Sequence, residues 1–95
     1  MTHATTMRYA HLQLTVHLDA HVVLLDVTSD MPGLDMQRTV LAEVSLDHQQ
    51  VQWQRISPLT QHVTDTGMRL SFDAYAETLT LTQYIECVQI GRAHV

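Results

Sequence analysis

From Ala10 to Leu18 apolar side chains recur at every second position, Ala10, Leu12, Leu14, Val16 and Leu18, with His11, Gln13, Thr15 and His17 between them. A period of two sends alternate side chains to opposite faces of an extended chain, so this segment is expected to be a strand with one buried face. A turn at Asp19-Ala20 would return the chain with Val16 facing Val23, Leu14 facing Leu25 and Leu12 facing Val27, keeping both strands sorted onto the same two faces. Asp30, Pro32 and Gly33 then form a turn cluster that ends the second strand.

Val40, Ala42, Val44 and Leu46 alternate up to Asp47. Returning through 48–50 sets Leu46 opposite Val51 and Val44 opposite Trp53, with Arg55 on the same face as Trp53. The stretch 35–46 also fits a helix capped by Asp35, with Met36, Val40 and Val44 as its stripe, which makes an α+β fold the alternative. Ser57 as a cap, Pro58 at the first helical position and Gly67 beyond the end predict one short helix near 58–64, with Leu59 and Val63 toward the core. In the third hairpin Met68, Leu70, Phe72 and Ala74 alternate with polar neighbours, and the chain returns through Leu79, Leu81 and Ile85, with Phe72 opposite Leu79. The expected fold is mainly β: a six-stranded antiparallel meander of three hairpins that forms a small barrel or sandwich.

The last residues change the boundaries. Ile90 to Val95 can be encoded by ATC GGA AGA GCA CAC GTC, a widely used short-read sequencing adapter, whose next triplet is a stop. The adapter also requires the preceding codon to end in AG, which Gln89 satisfies as CAG. The organisation expected is therefore a flexible N-terminus at 1–7, a single β-rich domain at 8–88 that is truncated at its C-terminus, and an adapter-derived, poorly ordered tail at 89–95.

Without Arg92 the chain has four Arg, no Lys and ten acidic residues, a formal charge of −6 against −5 for the whole sequence. Binding to nucleic acid rests on Lys and Arg displacing counterions from phosphates, so it is not expected. The absence of both Lys and Asn suits a GC-rich, bacterial genome. Cys87 is the only cysteine, which excludes an internal disulfide framework and suits a reducing compartment, with the cytoplasm as default. No apolar run is long enough to span a bilayer as a helix.

Six histidines precede the tail, and the expected register decides whether they can share a metal ion. His11 and His17 share a face about 20 Å apart at about 3.3 Å per residue, too far for one ion. Asp26, Asp73, Glu77 and Glu86 fall on polar faces or at turns, where carboxylates are ordinarily solvated. With only Gly33 and Gly67 ahead of the tail there is no phosphate-binding loop, and Trp53 falls on the core face. No catalytic, metal or cofactor-binding residue is assigned, and no cofactor is expected.

The least ordinary surface is the outward face of the first hairpin, where His11, Gln13, Thr15 and His17 mix with Val22 and Leu24. The function expected is a non-enzymatic protein–protein interaction or oligomerisation module that docks through this face or an exposed edge strand onto a protein partner or a second copy. The alternatives are a small barrel or cup that binds or turns over a compact ligand, anchored by Arg55 beside Trp53, and an N-terminal lobe of a larger protein.

Overall fold

The computed structural model describes residues 3–88, which form ten strands and no helix. β1 (Ala4–Tyr9), β2 (Leu12–Asp19), β3 (Val22–Ser29) and β4 (Gln37–Glu43) make a first antiparallel sheet in that order. The chain then passes through a small hairpin of β5 (Ser45–Leu46) and β6 (Gln49–Gln50) into β7 (Trp53–Ile56), β8 (Thr60–Thr64), β9 (Gly67–Ala76) and β10 (Thr80–Val88). In this second sheet β10 lies along one side of β9, while β7 and β8 share the other. The sheets do not close into a barrel. They face each other across one core, in which Leu14, Val16, Val23 and Leu25 meet Ile56, Leu70, Phe72 and Ile85.

In the first and third hairpins the expected faces hold but the registers move. In the second, the register shift opposite Val23 and Leu24 turns Val40 outward against Leu24, 56% exposed, and Leu46 is exposed too, so these two expected core residues are corrected. β2 and β3 pair Val16 with Leu25 and Leu14 with Val27, so the turn is Ala20-His21 rather than Asp19-Ala20. In the next hairpin Leu46 pairs with Gln49 around Asp47-His48, and in the last one Phe72 pairs with Gln83 rather than Leu79. Each correction keeps the pairing parity. Because side chains alternate with a period of two, the slips in the first and third hairpins bury the same set, and turn geometry decides between them.

Three turns hold non-glycine residues in the left-handed region: Ala10 (φ 55°), Ala20 (φ 58°) and the pair Asp47 (φ 51°) and His48 (φ 65°). Two successive positive values are the mark of a type I′ turn, for which glycine is preferred at the second position. His48→Gly should therefore raise the unfolding free energy by about 1 kcal/mol, the typical cost of a left-handed L-residue. The urea midpoint measures this, and a lower midpoint in the variant would refute it.

The helix expected at 58–64 is replaced by β8, and neither β4 nor β5 leaves room for the alternative helix at 35–46. Ser57 is not a helix cap. Its backbone N–H donates to the Asp73 carbonyl at 2.9 Å and its Oγ accepts from the Asp73 N–H at 2.8 Å, carrying the ladder up to Pro58, which has no N–H to give. Beyond that break Thr60, Val63 and Thr64 supply β-branched side chains suited to a strand. Leu59 does pack against the core, whereas Val63 is 77% exposed. Of the terminus expected to be flexible at 1–7, Ala4 to Met7 belong to β1 and pair with His17 to Leu14. The expected tail at 89–95 lies outside the described residues.

Candidate functional site

Register determines what the outward face of the first sheet brings together. Gln13 lies opposite Thr28, Thr15 opposite Asp26 and His17 opposite Leu24, with Val22 opposite Asp19. Five of the six expected interaction residues thus share one face, while His11 sits exposed in the turn between β1 and β2. Leu24 is only 6% exposed, so this aliphatic side chain is covered within the chain and offers little to a partner.

The polar side chains of this face are occupied by one another. Thr6 and Thr15 share a hydroxyl hydrogen bond of 3.1 Å, and Arg8 donates to Gln13 at 3.4 Å and pairs with Asp30. At its centre Arg38 grips Asp26 with two bonds, Nε to Oδ1 at 2.7 Å and Nη2 to Oδ2 at 2.9 Å, while His17 Nε2 lies 2.9 Å from Oδ2. The Asp26 side chain is 14% exposed, so the expectation of a solvated carboxylate is corrected. Arg38 and the centrality of Asp26 were missed because they depend on how β3 pairs with β4, across a loop without periodicity.

The bidentate Arg38 bond, helped by His17 and opposed by burial, holds the Asp26 carboxyl down at about 2 from its ordinary 3.8. A carboxyl whose folded value is depressed stabilises the fold fully above its unfolded value and ceases to do so as pH falls through the folded one. The melting temperature should therefore fall between pH 4 and pH 2, and Arg38→Gln should shrink that fall. An equal acid response in both proteins would show that the grip on Asp26 does not matter.

A histidine–carboxylate pair activates a nucleophile only when a hydroxyl or thiol reaches the ring. The Thr15 hydroxyl is bonded to Thr6, and Cys87 lies on the other sheet, where burial and then Glu86 push its thiol up. Among the described residues no three His, Cys, Asp or Glu side chains converge as metal ligands would. No helix among them is long and apolar enough to cross a membrane.

Arg55 leaves the face on which it was expected. A register shift between Trp53 and Arg55 turns it outward, where its guanidinium lies 3.8 Å from the centre of the Tyr75 ring. A ligand cup anchored by Arg55 therefore has no anchor. Trp53 is in the core as expected, 6% exposed, with its Nε1 buried and without a hydrogen-bond partner among the described residues.

The structure draws attention to another surface. Where β2 begins and β10 ends, the two sheets part around a cleft of about 280 Å³, with Tyr9, Leu12 and Val27 on one wall and Ile85 to Val88 on the other. Leu12 and Val27 also line an adjoining depression of about 180 Å³ that reaches Leu34 and Gln37. Val88 at the cleft and Leu34 at the depression are exposed, as are Met31 and Met36, which flank Leu34 in the 30–36 loop. The cleft depends on strand direction and sheet packing, so the alternation of single strands gives no signal of it. Compared with protein-family models, with curated proteins and with solved structures, the chain matches none.

Proposed function

We propose that this chain is a non-enzymatic interaction or oligomerisation module that docks through its open end and exposed strand edges. The observation that carries this reading is the open apolar cleft between the sheets, lined by Tyr9, Leu12, Val27, Ile85 and the exposed Val88, together with the adjoining depression that reaches the exposed Leu34. Scattered surface apolar residues are ordinary, whereas apolar side chains lining one open cleft mark a contact surface. The face of β2 and β3 takes a lesser part, because its polar groups are paired and Leu24 is covered. A lone, half-buried cysteine supports a reducing setting, the cytoplasm.

The test separates a docking role from a packing role. Replacing Met31, Leu34 and Met36 together by Ser should leave the melting temperature nearly unchanged, since surface substitutions away from structural features stay within about 0.5 kcal/mol each. The wild-type chain is expected to show concentration-dependent amide shifts at this end, and the same variant should lose them. A large loss of stability would mean that these side chains serve the monomer's own packing, and the reading would fail.

A further inference from the structure

An edge strand leaves a row of unpaired N–H and C=O groups, and natural sheets blunt such edges with proline, bulges or charges. Among the described residues, two of the four edges of the larger sheets are blunted. β4 carries Arg38, Glu43 and a register shift opposite Val23 and Leu24, and the composite edge of β7 and β8 is broken at Pro58 and carries Arg55. β1 and β10 have neither proline nor shift, and each holds one paired charge, Arg8 with Asp30 and Glu86 with Arg69. β10 is the longer of the two, paired with β9 over nine consecutive residues against six for β1. Tyr84 stands 63% exposed at its middle.

We propose that β10 is a pairing edge and that its occupant is β10 of a second copy, running antiparallel about a two-fold axis at Tyr84. This rests on the interaction reading above and names its partner. Turned about Tyr84, the strand meets itself with Tyr84 on Tyr84, Thr82 on Glu86 and Gln83 on Ile85, so the register keeps inward side chains inward. An antiparallel aromatic pair of this kind is among the favourable cross-strand contacts. Charge decides against a misfit: in a chain of net charge −5 the contact strip holds one carboxylate, and the two-fold sets the two copies of Glu86 at opposite ends, each facing a threonine. The cleft beside Ile85 and Val88 opens next to the same strand, so a strand added there adjoins apolar surface that the described residues leave uncovered.

Sedimentation velocity of the whole chain at rising concentration is expected to show a dimer that Tyr84→Lys abolishes and Val40→Lys on β4 preserves. As a geometric check, Tyr84→Cys in a Cys87→Ser background should form an intermolecular disulfide on oxidation. Directly opposed residues of an antiparallel pair stand about 4.5–5.5 Å apart at Cα, within the reach of a disulfide. Circular dichroism confirms that each variant is folded, and the cysteine variant decides the matter if Tyr84→Lys is not. A dimer lost in Val40→Lys but kept in Tyr84→Lys would overturn the pairing through β10 and leave the interaction reading in place. A chain that stays monomeric and does not cross-link through residue 84 also overturns the pairing. The wider reading fails separately, on the stability of the serine variant of the open end.

Discussion

Leu70→Ala is expected to lower the unfolding free energy by about 3 kcal/mol and the melting temperature by roughly 12–24 °C. Leu70 is fully buried at the middle of β9, held between Ile85 on β10 and Gln61 on β8, and it belongs to the core shared by both sheets. Truncation removes transfer energy and leaves a cavity that strands paired on both sides cannot readily collapse to fill. A domain of this size has only about 4–13 kcal/mol to lose, so the variant approaches the threshold of folding. Thermal unfolding followed by circular dichroism measures the effect, with Val63→Ala as the exposed control. A change under about 1 kcal/mol would show that the two sheets do not share this core as described.

Gly67→Ala should be nearly as damaging, for a reason unrelated to chain flexibility. Gly33, at φ 84°, is the glycine whose backbone needs glycine; Gly67 is needed for space. A Cβ at Gly67 would stand 1.8 Å from the carbonyl oxygen of Cys87 and 2.9 Å from its carbon, backbone atoms with no rotamer to change. The end of the ladder between β9 and β10 must part to admit it, and overpacking of this kind costs about 1–3 kcal/mol or more. The expected result is a lowered urea midpoint together with faster amide exchange at Met68 and Cys87. Unchanged exchange there would place the strain elsewhere. An expected helix end at Gly67 has become a tight strand start.

How far the sequence could be read follows from what each signal measures. Alternation reports which face a residue takes, so Leu14, Val16, Val23, Leu70 and Phe72 were recognisable as core before any pairing was known. It is silent about even-numbered slips, and the three hairpins slipped accordingly. The Ser57-Pro58 pair misled because a cap followed by proline is locally indistinguishable from a strand broken by proline and patched by a hydroxyl. Only the partner strand, offering the Asp73 N–H and carbonyl, tells them apart. The outward face of β2 was legible in position but not in character: the loop 30–36 hides the alignment of β4, and with it the Arg38 side chain that closes the face. The open end was invisible because it is made where two sheets diverge.

The order of strands within the sheets also bears on how quickly this molecule is made. In the first sheet every neighbour in space is the next strand in sequence, and in the second only β7 on β9 skips an element. Closing the short loops between such neighbours loses little entropy, so each meander can zip from its turns without waiting for distant encounters. The docking of one finished meander on the other, joined through the small hairpin of β5 and β6, is then the expected slow step, and substitutions in the core residues that meet only at that moment should slow folding more than substitutions at the turns.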